Sequence, residues 1–373
     1  MKRAAESKHN ATNSVLRTIR AKSPSIRQLA EDLDVSVATV SRALNNHPEV
    51  SPETRERVLA YAAEANYRKR STRRSVTKAV GVLYPSVPAH VQFGNFESAM
   101  ITGIVSGLRE QRYSLTIVDA ENDRFPDESL TEFLQRKGLS GVLVRTFGAD
   151  ASLLEELAES PIEAVLLADR SDDPRLNFIY NDSRADSARA INHLHHLGHR
   201  RIGLIIHDVM DHDHADRLAG YRQGLERNGL EYDERVVIQA SSSAVQTGAR
   251  ALDKMLSLDD PPTAVYVTNP IPTVGLLQRC LELGLVVPRD FSVVGFDDRD
   301  TRFHTFPQYT AVWQDATQMG LEAALWLSRR LEGVASDQFR ERRSTVFSVH
   351  DTSGPVPERP LRLGHDRVSL IGR

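Results

Sequence analysis

The chain has 373 residues, of which 40% are hydrophobic and 26% are charged. This length allows two or three domains with buried cores, and the composition is that of an ordinary globular protein. The single cysteine, Cys280, excludes an intramolecular disulfide and fits a reducing compartment. Because no apolar run approaches the length of a membrane span and the N-terminus lacks the apolar core of a signal peptide, we expect a cytoplasmic protein without a membrane partner.

Charge is distributed unevenly along the chain, although the net charge is only −3. Residues 1–78 contain 16 Lys and Arg against 8 Asp and Glu, a balance of +8. The remaining residues therefore hold 31 basic and 42 acidic side chains, a balance of −11. A basic segment joined to an acidic body is typical of a phosphate-binding module attached to a domain that does not bind phosphates.

Residues 24–67 carry three short helical patterns. The first has apolar residues at helical spacing and ends in a turn. Ser36 is placed to cap a second helix from Val37 to Leu44, and Ser51 followed by Pro52 begins a third. Two short helices joined by a tight turn and braced by a third form a helix-turn-helix, whose second helix enters the DNA major groove.

This stretch resembles the head of a LacI/GalR-type transcriptional regulator, on the phrases VSVATVSRALN and VSPETRERVL and on Tyr67. The resemblance implies that Val37, Ala38 and Arg42 meet base edges. Arg42 has the reach and the fork for guanine O6 and N7, whereas the two apolar side chains can only contact groups such as a thymine methyl. The alternative interpretation is a three-helix bundle without a role on DNA.

Short polar side chains near the helix starts are suited to phosphate oxygens, which would set the register of the head on the duplex. These residues are Ser36, Thr39, Asn45, Ser51 and Thr54. For each serine and threonine the alternative is simple helix capping, which for Ser51 is at least equally expected.

Residues 68–78, RKRSTRRSVTK, contain six cations in eleven residues. In the family this segment is the hinge, a short helix that forms on operator DNA and wedges an apolar side chain into the minor groove. The resemblance assigns the wedge to Val76 and lets Arg70, Arg73 and Arg74 follow the phosphates or enter the minor groove. The segment departs from the family pattern in two ways, because Lys69 replaces the common Pro and the link from the hinge to the first core strand is shorter than usual. A disordered basic linker is therefore the alternative to a hinge helix.

From residue 79 onward, apolar strands alternate with helices, which predicts parallel sheets covered on both faces. The pattern restarts after about Asn181, so two lobes are expected. The phrases INHLHHLGHRRIGLI, RLAGYRQGLERNGL and FSVVGFDD extend the resemblance to the periplasmic-binding-protein-like core of the same family. The predicted fold class is therefore α/β, with an all-α helix-turn-helix domain before a two-lobed core of parallel sheets.

The patterns also suggest domain boundaries. We expect an arm at residues 1–23, a helix-turn-helix domain at 24–67, a hinge at 68–78, an effector-binding and dimerisation core at 79–353 and a tail at 354–373. Within the core, lobe 1 is expected at about 79–180 and 316–343, and lobe 2 at about 181–315 and 344–353. The arm and the proline-containing tail are expected to be disordered. Because the tail has no leucine heptads, a homodimer is expected rather than a tetramer.

Polar side chains at the ends of strands are expected to bind an effector, because ligands of open α/β sheets lie at the carboxyl ends of the strands. Asp169, Asn269 and Asp297 follow strands, and Arg217 opens a helix. These four match the effector site of the family and suit a sugar-like polyol. Arg145 ends another strand and, with Arg217, would favour a sugar acid or another anion. The alternatives are capping by Asp169 and Asp297, a structural ion pair of Arg217, and an outward-turned Arg145.

Seven histidines lie between residues 193 and 214, and the run from Asp211 to His214 is metal-like in composition. Two of them belong to the HL…LGHRR phrase of the family, and no HExxH pattern accompanies the others, so we expect no metal. Cys280 has no evident base and no serine lies in a nucleophile elbow, so we expect neither catalysis nor a cofactor.

The expected function is sequence-specific transcriptional regulation by a homodimer that binds double-stranded operator DNA and responds to a small sugar or sugar acid. Repression is the expected sign of regulation. The alternatives are an activator or a corepressor-dependent regulator of the same family, and a solute-binding protein without a role on DNA.

Overall fold

A computed structural model describes residues 26–44, 50–64, 78–86, 94–147, 151–208, 211–240, 244–358, 361–364 and 370–371. The chain divides into two compact units, one ending at Val76 and the other beginning at Thr77. The predicted arm lies outside the described residues, as do Asn45, Arg70, Arg73, Arg74 and Val76. Among the described helices, none combines the length and apolar character that crossing a membrane requires.

The described part of the first unit consists of three helices, α1 (Ile26–Asp32), α2 (Val37–Leu44) and α3 (Pro52–Glu64). Their inward side chains form a small core of Leu29, Ala30, Val40, Ala43, Val50, Val58 and Ala62. In the turn between α1 and α2, Asp34 has a φ of 53°, a left-handed conformation that Asp tolerates better than most residues with a side chain. The hydroxyl of Tyr61 on α3 donates to Asp32 at 3.0 Å and ties α3 to the end of α1.

The second unit contains two six-stranded sheets, each the centre of one lobe. The strands of the first are β1 (Ala79–Tyr84), β2 (Ser114–Asp119), β3 (Gly141–Arg145), β4 (Glu163–Leu167), β5 (Asn177–Asp182) and β11 (Arg340–Ser344). They pair in parallel in the order β11-β5-β4-β3-β1-β2. One face packs against α5 (Leu130–Arg136) and α6 (Ala151–Glu159), and the other against α4 (Asn95–Arg109) and α11 (Ala316–Leu331).

The second sheet has the same plan. Its strands are β6 (Ile202–His207), β7 (Val237–Ala240), β8 (Ala264–Val267), β9 (Ser292–Asp297), β10 (Thr310–Trp313) and β12 (Val346–Ser348). They follow the order β12-β10-β9-β8-β6-β7, with β12 antiparallel to β10 and the other pairs parallel. One face packs against α7 (Arg184–His196) and α8 (His212–Arg227), and the other against α9 (Val245–Leu256) and α10 (Pro270–Glu282). The predicted class, an all-α head followed along the chain by an α/β core, is confirmed.

Within the described residues, the chain passes between the lobes three times. The first passage is at Ser183, since β5 before it belongs to the first sheet and α7 after it packs on the second. The second passage runs through Gln314 and Asp315 to α11, which packs on the first sheet. Thr345 separates β11 of the first sheet from β12 of the second. The side-chain amide of Asn181 donates to Gln314 at 3.0 Å, which links two of the three passages.

The predicted disorder of the tail is wrong for the part of it that the structure describes. The amide of Gly354 donates to the hydroxyl of Ser292 at 3.1 Å, and Leu361 and Leu363 are buried against α9 and α10. Prolines prevent a helix there, but they permit an extended segment that buries its leucines on the second lobe. Two short antiparallel strands lie in the same segment, β13 (Arg362–Leu363) and β14 (Leu370–Ile371).

Candidate DNA-binding head and effector site

Helix α2 turns one face into the core of the head and the other towards solvent. Val40 and Ala43 are buried, whereas Val37 is 43% exposed and Ala38 and Arg42 are also exposed. At 100° per residue the three exposed side chains share one side of the helix. The predicted base-contacting residues thus lie together on a surface that a DNA groove can reach, and their contacts to bases stay a prediction.

The hydroxyl groups at the helix starts act as caps. The Ser36 hydroxyl accepts from the amide of Thr39 at 3.0 Å, and the Ser51 hydroxyl accepts from the amide of Thr54 at 3.2 Å. Within each pair the two hydroxyls also lie 2.8 Å apart. The capping role that the sequence left open is therefore present at both serines. Both are exposed. Because the Ser51 hydroxyl donates its proton to the Thr54 hydroxyl, the group of that pair with a proton left to donate to a phosphate oxygen is Thr54.

Arg145, at the end of β3, is only 5% exposed, so the outward-turned alternative is wrong. Its Nη1 donates to the carbonyl of Leu167 at 2.8 Å, and its Nη2 lies 3.6 Å from the carboxylate of Glu97. The guanidinium carbon is 4.9 Å from the ring centroid of Phe96 and 4.5 Å from that of Phe147. Most of this guanidinium is therefore already held by the first lobe.

Asp169 joins the two lobes. Its carboxylate accepts from the hydroxyl of Thr146 and from the amide of Arg170, and it also contacts the Nδ1 of His212 at the start of α8. The guanidinium of Arg170 forms a second bridge, to the buried Asp216 one turn further along α8. The first turns of α8 therefore face the first lobe directly.

Arg217 is buried in the second lobe and takes part in the structural ion pair that the sequence left open. Its Nη1 donates to the carbonyl of Thr268 at 2.6 Å, and its Nη2 donates to the carboxylate of Asp213. The guanidinium carbon lies 3.6 Å from the ring centroid of Phe296. Burial raises the pKa of Asp213, and the positive charges of Arg217 and Arg145 oppose that rise. Arg145 of the first lobe thus acts electrostatically on α8 of the second.

Asp297 is fully buried, and its carboxylate closes the loop that follows β9. It accepts from the amides of Thr301 and Arg302, each at 3.2 Å, and from the Nη1 of Arg302 at 2.6 Å. The loop-capping alternative is thus present here too. The neighbouring Asp298 accepts from the side-chain amide of Gln314 at 2.8 Å, and burial raises its pKa to about 7.

Asn269 lies between β8 and α10 and is half-buried. Its side-chain oxygen accepts from the hydroxyl of Thr268 at 3.2 Å. Thr268 also provides the carbonyl that holds Arg217, so Asn269 and Arg217 share one wall of the second lobe. The structure brings Arg145, Asp169 and Arg217 together around the start of α8, with Asn269 beside Arg217.

Further residues of the cleft, which the sequence patterns do not assign to the effector site, lie in the run Asp211 to His214. Among the described residues, no group of three His, Cys, Asp or Glu side chains could hold a metal ion. His212 bridges to the first lobe, and Asp213 pairs with Arg217 one helical turn away. The spacing of four residues between Asp213 and Arg217 is the sequence signal for this pair, because a helix that includes both residues places their side chains on the same face.

Comparisons with known proteins agree with this arrangement. Residues 25–70 match the family described as bacterial regulatory proteins, lacI family, and residues 191–350 match the periplasmic binding protein-like domain. The HTH-type transcriptional repressor CytR of Escherichia coli strain K12 is 30% identical over 315 residues, which cover 83% of this chain and 90% of CytR. Catabolite control protein A of Priestia megaterium is 26% identical over 311 residues, covering 82% and 91% of the two chains.

Solved structures give the same result. A complex of the transcriptional regulator CelR with cellobiose has a TM-score of 0.64 and 26% identity, covering 88% of this chain and 99% of that one. A LacI family transcriptional regulator from Enterococcus faecium with bound ribose has a TM-score of 0.65 at 22% identity, which shows the shared fold. From the helix-turn-helix head, the two-lobed core and a relative of 30% identity along most of its length, we conclude that the chain belongs to the LacI family of bacterial transcriptional regulators.

Proposed function

We propose that this regulator is a repressor that binds operator DNA as a homodimer in the cytoplasm and responds to a sugar-like effector held between its lobes. The observation that carries the proposal is the combination of an exposed recognition face on α2 with a cleft whose two walls are bridged by polar side chains. The relative CytR is itself named a repressor. Two structural relatives hold cellobiose and ribose, which supports a sugar-like effector.

On DNA, Arg42 would read a guanine while Val37 and Ala38 make apolar contacts in the major groove. Ser36, Thr39 and Thr54 would position the head on the phosphates, with the Ser51 hydroxyl holding that of Thr54 in place. For Asn45 and for the hinge residues Arg70, Arg73, Arg74 and Val76, the proposal rests on the sequence, since they lie outside the described residues.

Regulation would follow from a change in how the two lobes meet. The contacts of Asp169 with His212 and of Arg170 with Asp216 connect the lobes. An effector that binds one lobe arrangement more tightly than the other shifts the population towards the arrangement that it prefers. A difference of a few kcal/mol between its two binding free energies is sufficient to change which arrangement predominates. Because the DNA-binding heads of a dimer must match the spacing of two half-sites, a shift in lobe arrangement would change operator affinity.

A patch of large apolar side chains on the second lobe supports the homodimer. Phe306 is fully exposed and Leu281 is 79% exposed, and both line a cavity of about 270 Å³. Val286 and Phe303, close to them in the chain, are also exposed. Such a patch is typical of an interface, and a two-fold axis would place the same patch on both partners. Light scattering of Phe306→Asp should then show monomers, whereas Val334→Asp, at an exposed site on the first lobe, should remain dimeric.

The experiment that tests the function is a mobility-shift assay with the gene's own upstream DNA at two salt concentrations. A repressor should bind one fragment selectively, lose affinity as salt rises, and release the fragment when the correct sugar is added. A fragment that is bound only in the presence of a sugar would make the effector a corepressor. Failure to bind any genomic fragment at low salt would overturn the proposal.

A further inference from the structure

Three buried polar side chains form a relay through the hinge between the lobes. The side-chain amide of Gln314 donates to the carboxyl of Asp298 at 2.8 Å, and its oxygen accepts from the side-chain amide of Asn181 at 3.0 Å. All three side chains are buried. Because Asn181 and Gln314 lie at two of the passages between the lobes, the relay connects both passages to the loop that follows β9.

The loop that follows β9 also contacts the first lobe directly. The carbonyl of Asp298 accepts from the amide of Ala316 at 3.2 Å, and Ala316 is the first residue of α11. The hydroxyl of Thr301 accepts from the side-chain amide of Asn95, the first residue of α4, at 2.9 Å. Both helices pack on the first sheet, whereas β9 belongs to the second. Moving the lobes apart therefore draws the start of α11 away from Asp298 and gives water access to its carboxyl.

The carboxyl of Asp298 has no counter-charge of its own in this arrangement of the lobes. Asp298 is only 6% exposed, and among the described residues its carboxyl bonds to the neutral amide of Gln314 and takes part in no ion pair. Arg217, which acts on it electrostatically, is already paired with Asp213. A buried carboxylate without a partner is costly, so this arrangement favours the protonated carboxyl.

Charged and titratable groups face Asp298 from α8, from the end of β9 and from the residue before β10. These groups are Arg217, Asp213, Asp297 and Tyr309. Burial raises the pKa of the Tyr309 hydroxyl, which therefore stays neutral around pH 7. In the passage itself, the carboxylate of Asp315 turns to α11 and accepts from the amide of Gln318 at 2.9 Å. The group near the hinge that changes charge around neutral pH is thus Asp298.

The balance of these influences sets the pH at which Asp298 ionises. Burial raises its pKa to about 7. The positive charge of Arg217 and the hydrogen bond from Gln314 oppose this rise, and the negative charges of Asp297 and Asp213 add to it. In an arrangement that admits water to the carboxyl, the largest of these causes is relieved, so the proton is lost at a lower pH.

We propose that Asp298 is a proton-controlled switch on the hinge: its protonated carboxyl stabilises the lobe arrangement of this structure, and loss of the proton favours lobes that are further apart. The advantage of the arrangement seen here is complete at acidic pH and is lost as the pH rises to about 7, because only the buried carboxyl still holds its proton between these values. The regulator would then respond to acidification as well as to an effector, which goes beyond the proposed function.

The test measures the distance between the lobes in the full-length protein, without DNA and without an effector. Nitroxide labels are attached through Glu121→Cys and Gln246→Cys, one exposed position on each lobe. These positions follow β2 and β7, the edge strands on the side of each sheet away from the passages, where rotation about the hinge changes the distance most. The native Cys280 is buried, so the labels react with the introduced thiols.

Labelled chains are diluted with unlabelled chains, and double electron–electron resonance gives the populations of short and long distances from pH 5.5 to pH 8. The ratio of the short to the long distance should fall by about 10-fold across this range, most of it below pH 7. A ratio that stays constant, or that rises with pH, overturns the inference.

The substitution Asp298→Asn keeps an oxygen that can accept from Gln314 but removes the ionisation. The ratio in this variant should stay within about twofold of the wild-type value at pH 5.5 across the whole range. The matched control, Asp300→Asn, removes a carboxylate that is 53% exposed in the same loop, and it should follow the wild type. If Asp298→Asn keeps the full pH dependence, the titrating group lies elsewhere, for example at His212 between the lobes, and the inference fails.

Failure of the switch can be told apart from failure of the proposed function, because the distance measurement needs no operator. If the ratio follows the pH as expected but no genomic fragment is bound at low salt, the switch stands and the proposed role on DNA fails. If a fragment is bound selectively while the ratio ignores the pH, the role on DNA stands and the switch is refuted.

Discussion

The head and the cleft use polar side chains in opposite ways. In the head, Val37 and Arg42 lie on an exposed face of α2, and the fold of the head depends on other residues. In the cleft, Arg145, Arg217 and Asp297 are buried and are already bonded to groups of their own lobe. A residue that contacts DNA can therefore be changed with little effect on the fold, whereas a residue of the cleft combines a structural role with any role in binding.

This difference determines what a substitution reports. Removing an exposed side chain of α2 tests recognition. Removing a buried, paired charge of the cleft tests stability first, because its partner is left buried without a counter-charge. If such a variant responds differently to the effector, the result is informative only when the stability of the variant has also been measured.

The largest effect is expected for Asp297→Ala. The change leaves the guanidinium of Arg302 buried without its carboxylate and removes the acceptor of the loop amides, which should cost about 3–5 kcal/mol of unfolding free energy. Urea unfolding measures that loss. The control is Asp300→Ala in the same loop, where the side chain is 53% exposed and the cost should stay within about 0.5 kcal/mol. Equal stabilities of the two variants would contradict the structural role given to Asp297.

A pH-dependent effect is expected for Asp298→Asn. Burial raises the pKa of Asp298 to about 7, well above the usual 3.8 of an unfolded Asp, so the folded state retains a proton that the unfolded state releases between these values. The contribution of this carboxyl is therefore fully favourable below about pH 4, and it is lost as the pH rises towards 7. Asparagine mimics the protonated form, so the variant should gain stability over the wild type from pH 5 to pH 8, by about 2–4 kcal/mol. A constant difference between the two proteins across this range would show that Asp298 is ionised in the fold.

In the head, Arg42→Ala should reduce the preference for operator over scrambled DNA by about 1–3 kcal/mol and leave weak non-specific binding. Arg27→Ala removes the same charge from α1, where the side chain is also exposed, and should weaken binding to both duplexes equally. Competition titration at fixed salt measures the two affinities. Unchanged discrimination in Arg42→Ala would refute its assignment to a base edge.

The sequence predicted the local structure of the head well, because its signals are local. Helix α2 begins at Val37 and ends at Leu44 as predicted, since Ser36 caps its first turn. The class of the core was also predictable, because buried parallel strands are apolar along their whole length, as β1 and β3 are here.

The chemistry of the cleft was less accessible from the sequence, because it depends on which side chains meet across long separations. Asp169 and His212 are 43 residues apart, and no periodicity connects them. The same limit explains the tail, where the burial of Leu361 and Leu363 depends on the surface of the second lobe. Local patterns located Arg217 and Asp297, and only the fold revealed that each has a structural partner.

The smallest effect is expected at Asp34, whose φ of 53° separates α1 from α2. Glycine adopts this conformation without steric cost but loses more entropy on folding, by about 0.4–1 kcal/mol, so Asp34→Gly should leave the stability of the head nearly unchanged. A branched side chain is strained there, so Asp34→Val should destabilise the head by about 1–2 kcal/mol. Hydrogen exchange of the amides of α2 in the full-length protein measures both effects. Because Asp34 is exposed, a loss of stability in Asp34→Val arises from the backbone conformation and not from packing. Equal protection of the α2 amides in the two variants would show that the turn relaxes into another conformation.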